Sequence, residues 1–501
     1  MVDSLPLELL ERVFRLAHPE VNVFHKPEYE GGSSTWTLSA VSRSWRAAAI
    51  GAKSLWTKLL IEDPQKDASI PPAISRLCLA LSRSAPLPFW VCIQHICLTS
   101  FEWGRDFDDG EGSQIDMIIL SPILANAHRL EGFTAKLPTL LFQRFAMQQI
   151  PFPRLQALTL DSGGLETSGL SGDETCVVDA PLLRNLELSA LSRDRWTSTF
   201  LDNRRRSPRI KISWSQLTYF SFKYNVLDCE GFQGFYLFLS QMANLETFIL
   251  QDDAVYHTRW PVQQGKPRYL FERLKTLRVF AAHSAMFSLL GTMRTPHLDH
   301  LNLELKNGSP FDGVLHREEY RGKGDMKGAW ERAFVNGITG LLDTLESRSS
   351  VTSLGLWGFQ TLPVVKIVKQ LPSLRKLATK DLEEGLIDFL FSGWEQDLGT
   401  ASASRSFPDL QSLTFEINIQ AIENTHGTNE RILQMIESRL QNRQEIKLEH
   451  VRIMYRGSGH SILKNAFLDP LAKWTDTSSP HRIGLDPVKI DGIHGELLFI
   501  D

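Results

Sequence analysis

Cysteine is scarce in this sequence, and long apolar runs are absent. The five cysteines, Cys78, Cys92, Cys97, Cys176 and Cys229, are odd in number and spread over 501 residues. That excludes a disulfide framework and fits a reducing compartment, cytoplasmic or nuclear. No stretch reaches the roughly 18 apolar residues that a membrane helix needs, so no membrane contact is expected. The opening MVDSLPLELL has an acid where a secretory signal has a base, and no signal is expected there. Neither charge sign dominates: 54 Lys and Arg stand against 58 Asp and Glu, for a net charge of -4. Such a balance gives no general attraction to nucleic acid or lipid. HExxH, GxSxG and P-loop signatures are missing too. No catalytic residue, cofactor or metal is expected, and the chain reads as a non-enzyme.

Three stretches invite a chemical reading and do not sustain it. Cys92, His95 and Cys97 lie in PFWVCIQHICLTSF, an apolar run that reads as a strand. Its alternation sends Cys92 and Cys97 to opposite faces, and no second Cys/His pair follows, so both are expected in the core. A calcium loop starting at Asp106 would need glycine and glutamate where Glu111 and Met117 stand. His297 and His300 only flank a repeat leucine. The densest basic run, NRRRSPRIKI at 203–212, could serve nuclear import or phosphate contact. No interleaved aromatics make it a stacking platform for nucleic acid, and a solvated loop is the simpler reading.

What the chain does have is 42% hydrophobic residues and a recurring block, apolar-x-x-apolar-x-apolar. It occurs in FPRLQALTL, APLLRNLEL, WSQLTYFSF, MANLETFIL, FERLKTLRV, TPHLDHLNL, SSVTSLGL and FPDLQSLTF. The first apolar positions are 130, 155, 183, 217, 245, 274, 298, 351, 374, 410 and 448, spaced by 23 to 38 residues apart from one gap of 53. The last two apolar positions alternate with polar ones, as on a strand with one buried face. Stretches such as 229–242 and 283–293 read as covering helices. The long gap holds a polar, Gly-rich insertion followed by a helix over 329–347. Over 85–455 the chain therefore resembles a leucine-rich-repeat solenoid. The family's asparagine after the last strand leucine occurs at Asn225 but is replaced at Gly163, Leu191, Lys306 and Phe359.

The first 63 residues follow another pattern. Leu5, Pro6, Glu8, Leu9, Leu10, Val13 and Phe14 open it, Val41, Ser42, Trp45 and Arg46 follow, and Leu55 and Trp56 close it. These three segments resemble an F-box. The connection from Ala17 to Trp36 is longer than usual, as in many fungal F-box-like proteins. The resemblance implies docking to the Skp-type adaptor of an SCF-type ubiquitin ligase, and through it to cullin and RING subunits. The implied adaptor-binding residues are Leu5, Pro6, Leu9, Leu10, Val13, Phe14, Val41, Trp45, Leu55 and Trp56.

The expected fold is α/β: a short N-terminal helical F-box over 1–63, a connector over 64–84, an irregular leucine-rich-repeat solenoid over 85–455 with an insertion at 306–348, and a tail or cap over 456–501. The expected function is that of a substrate-receptor subunit whose repeat domain binds an unknown protein target. Strand alternation turns Tyr219, Lys223, Ile249, Gln251, Arg278, Phe280, His300, Asn302, Trp357, Lys376 and Lys380 outward. Among them Tyr219, Ile249, Arg278, Phe280, Trp357 and Lys376 are the candidate target contacts. Two alternatives remain open: a leucine-rich-repeat scaffold acting without the ligase, and a nucleic-acid binder using the 204–211 basic run.

Overall fold

The computed structural model describes residues 6–17, 21–22, 35–62, 70–94, 120–136, 150–161, 176–189, 201–202, 207–208, 210–224, 239–252, 269–281, 283–305, 326–357, 361–379, 386, 410–418, 430–432, 434, 450–456, 482–486 and 495–500. The chain divides into two compact units, Met1–Leu245 and Glu246–Asp501.

In the first unit, helix α1 (Leu7–Ala17) starts behind Pro6, whose carbonyl accepts from the Leu9 and Leu10 amides at 3.0 and 3.1 Å. Strand β1 (Val21–Asn22) precedes helices α2 (Thr35–Val41) and α3 (Arg43–Gly51). Ser42 separates these helices: its backbone is extended, and its hydroxyl accepts from the Trp45 amide at 3.2 Å, an N-cap. A 3-10 turn, Lys53–Trp56, leads into β2 (Lys58–Glu62). Helix α4 (Ile70–Ser84) follows, then β3 (Phe89–Gln94), β4 (Leu130–Lys136), β5 (Ala157–Asp161), β6 (Asn185–Ser189) and β7 (Tyr219–Tyr224). Each strand pairs in parallel with the next, from β1 to β7.

One buried cation ties this unit together. The Arg129 guanidinium donates to the Leu87 and Leu81 carbonyls at 2.9 and 3.1 Å, to Ser84 Oγ at 2.7 Å and to Asn126 Oδ1 at 3.3 Å. It also lies 5.3 Å from the Phe89 ring centroid. Desolvation by burial, then the charge of Arg154, lowers its pKa from the ordinary value.

The second unit contains β8 (Thr247–Asp252), β9 (Thr276–Ala281), α5 (His283–Thr292) and β10 (His300–Leu305). Then come α6 (Met326–Leu342), β11 (Ser353–Trp357), α7 (Thr361–Val368) and β12 (Lys376–Thr379). Strands β13 (Ser412–Asn418), β14 (His450–Arg456), β15 (Arg482–Asp486) and β16 (Gly495–Ile500) complete it. β8 to β14 pair in parallel in chain order, whereas β16 runs antiparallel to both β14 and β15. Helix α6 packs against α5 and α7.

The leucine block explains the sheet. Its first apolar residue is buried at every described position, from Leu130, Leu155, Leu183 and Leu217 to Leu274, Leu298, Val351, Leu374 and Leu410. The two residues after it then enter the ladder. Asp299 and His300 both donate backbone N–H to the Lys275 carbonyl, Thr352 and Ser353 to that of Asp299, and Arg375 and Lys376 to that of Thr352. This shared-acceptor step repeats from strand to strand and pins the register. In β9, Leu277, Val279 and Ala281 face the core.

The expected fold of a helical F-box followed by a leucine-rich-repeat solenoid is corrected by these observations. The described residues of 1–63 do not form an all-helical unit: β1 and β2 are strands of the first unit's sheet, and β2 pairs with β3. The physical reason is local. KLLIE alternates its burial, with Leu59 and Ile61 inward, so this stretch is a strand and not the tail of a helix. The presumed connector holds α4, which packs on the Lys53–Trp56 turn. In the second unit the tail supplies two strands in antiparallel order, which breaks any uniform repeat. The fold is α/β, built on parallel sheets with helices.

Candidate docking surfaces

Helix α1 has two apolar stripes. Leu10 and Phe14 form the inner one, with 3% and 0% exposure. Leu9, Val13 and Leu16, at i, i+4 and i+7, form the outer one, and Leu9 and Val13 are each 48% exposed. Phe14 meets the Trp45 ring at 5.0 Å between centroids. Trp56 is fully buried, donates Nε1–H to the Ala49 carbonyl at 2.7 Å and stands edge-on to Trp36 at 4.8 Å. The Arg83 guanidinium of α4 covers both indoles, 4.4 Å from Trp56 and 5.2 Å from Trp36, and desolvation lowers its pKa. Glu11 pairs with Arg15 and accepts from Ser54 Oγ at 3.2 Å.

The expected adaptor contacts therefore sort into two sets. Leu10, Phe14, Leu55 and Trp56 are buried and hold the segment together. Pro6, Leu9, Val13 and Val41 are exposed, Val41 at 59%, and Trp45 is partly buried. Leu5 lies outside the described residues. Leu16 was not singled out in the sequence, although its spacing from Leu9 marks the same stripe.

The expected target contacts divide between the units. Tyr219 is partly buried on β7 of the first. In the second, Ile249, Arg278, Asn302, Gly355 and Ala378 form one cross-strand row, and Gln251, Phe280, Glu304 and Trp357 the next. Arg278 and Lys376 are exposed, whereas Ile249, Phe280 and Trp357 are partly buried. Asn302 lies over Gly355: a Cβ there would meet Asn302 Oδ1 at 2.6 Å. Lys380 lies outside the described residues.

His95, Cys97, the acidic stretch from Asp106 and residues 203–206 and 209 of the basic run also lie outside the described residues. Cys92 is partly buried on the outward face of β3, between the inward Val91 and Ile93, not in the core as expected. Among the described residues no three His, Cys, Asp or Glu gather as around a metal, and no helix is long and apolar enough to cross a membrane. Exposed His297 lies 3.7 Å from Glu346, and His300 lies 3.3 Å from Asp299. No family model matches the chain, and no curated protein matches it.

Proposed function

We propose that the chain is a substrate-receptor subunit of an SCF-type ubiquitin ligase. Its N-terminal segment, whose residues resemble an F-box, docks to the Skp-type adaptor and through it to cullin and RING subunits. The observation that carries this reading is the outer stripe of α1, where Leu9, Val13 and Leu16 are left in solvent beside a well-packed inner stripe. A helix with two apolar stripes and one covered face has surface to spare for a partner. The chain itself performs no chemistry in this role. It holds a target protein, bound on the outward sheet face that bears Ile249, Arg278, Phe280, Trp357 and Lys376, near the transfer machinery and so raises the effective concentration of target lysines. The working compartment is cytoplasmic, nuclear or both. Co-purification of the adaptor with the full-length chain tests the reading.

A further inference from the structure

We infer that the outward face of the first unit's sheet carries a second docking site, a notch for one apolar side chain of a protein segment with an acidic neighbouring residue. Lys58, Trp90 and Gly132 are cross-strand neighbours on β2, β3 and β4, and Leu60, Cys92 and Thr134 form the next row. A Cβ on Gly132 would lie 2.0 Å from Trp90 Cε3. The indole thus rests flat on the glycine, which no larger residue allows. Its Nε1–H donates to the Glu131 carboxylate at 3.2 Å, and that carboxylate also accepts from Gln156 at 3.0 Å.

Beside the indole, over the row of Leu60, Cys92 and Thr134, lies a notch of about 150 Å³ lined by Trp90 itself with Lys58, Leu59, Leu60, Val91, Cys92 and Thr134. The volume decides the occupant's size. It falls below the roughly 300–1,000 Å³ of small-molecule sites and matches a cavity of about 150 Å³ that admits a benzene-sized group. One leucine- or phenylalanine-sized side chain fits. Trp90 is 41% exposed, the kind of ring that anchors interfaces once covered. Charge sets the neighbour: Lys58 is exposed at the rim, and no carboxylate pairs with it among the described residues. The Glu131 carboxylate is already engaged. A chain advances about 3.3 Å per residue, so a residue adjacent to the anchor reaches the rim. The same face continues over Ala157, Thr159, Asn185 and Glu187 of β5 and β6, a surface along which the flanking residues of a polypeptide can lie.

The inference stands apart from the adaptor reading, and its test uses no adaptor, so either can fail alone. Full-length protein is labelled with 5-fluorotryptophan, and the Trp90 resonance is assigned with Trp90→Phe. The probe is the peptide acetyl-Gly-Asp-Leu-Asp-Gly-amide. Its controls replace Leu by Gly or both Asp by Asn, and free 4-methylpentanoate is the small-acid control. The expected result is a saturable shift of the Trp90 resonance, about tenfold weaker for each control. Lys58→Gln should bring the acidic peptide down to the level of its Asn version, with the other eleven of the 12 tryptophans unmoved. No Trp90 shift at millimolar peptide, or an equal response without leucine, overturns the notch. A free acid that binds as tightly as the peptide overturns the protein segment as occupant.

Discussion

At the scale of the residue, burial separates side chains that the sequence presents alike. Leu9 and Leu10 are neighbours in one leucine-rich motif, yet one is half in solvent and the other is core. Leu9→Ala with Val13→Ala should leave the melting temperature nearly unchanged, because surface changes fall within about 0.5 kcal/mol. Leu10→Ala should cost about 2–5 kcal/mol, read by denaturant unfolding. Arg129 makes a different prediction. Arg129→Met removes four hydrogen bonds, to Leu87, Leu81, Ser84 and Asn126, and should cost at least the ~1.5–3 kcal/mol of a single bond to a charged group. Because burial lowers the pKa of this base, the folded state binds the proton less tightly than the unfolded chain. That penalty is complete below the folded pKa and lifts only as pH rises through it. Arginine stays protonated across the neutral range, so the loss should be the same at pH 6 and pH 9.

At the scale of the element, the strands were legible and their surroundings were not. Two apolar positions separated by one polar residue can hardly be satisfied except on a strand with one buried face. Leu158 and Leu160, Leu186 and Leu188, and Leu301 and Leu303 are all buried as that pattern requires. The helix expected over 329–347 overlaps α6, which ends at Leu342, and 283–293 is largely α5, while 229–238 of the stretch expected as a helix over 229–242 lies outside the described residues. The stretch that misled is Leu55 to Glu62. LWTKLLIE offers a helical spacing and a strand alternation together, and only pairing with β3 decides between them. Leu301 tests the register of β10, where it sits between Leu277 and Leu354. Leu301→Asp places an unpaired charge in the core and should abolish recovery of soluble protein, measured by fractionation. Normal melting would refute the register. Phe280→Ala with Trp357→Ala should cost little stability, since both rings are only partly buried, while removing most co-purifying targets in quantitative mass spectrometry. A collapse in stability would make both rings core. An unchanged set of partners would move the target site off this face.

At the scale of the whole molecule, the sequence pattern carried the fold class to α/β and misjudged its organisation. A segment of about 60 residues buries little apolar surface by itself. The segment is covered in its own unit by β3, which pairs with β2, and by α4, which packs on the Lys53–Trp56 turn. The outer stripe of α1 and Val41 are what that packing leaves exposed, so the motif's leucines divide between core and surface in a way their spacing alone does not show. Alternation indicates which side of a strand faces out, but not that the Trp90 indole packs on Gly132, since that depends on which residue stands across the strand pair. The most direct measurement is affinity purification of the full-length chain beside its Leu9→Ala, Val13→Ala variant, with adaptor and cullin quantified at matched expression and folding. The account predicts both subunits with the wild type and their loss with the variant. Equal recovery from the two, or no adaptor with either, would contradict it.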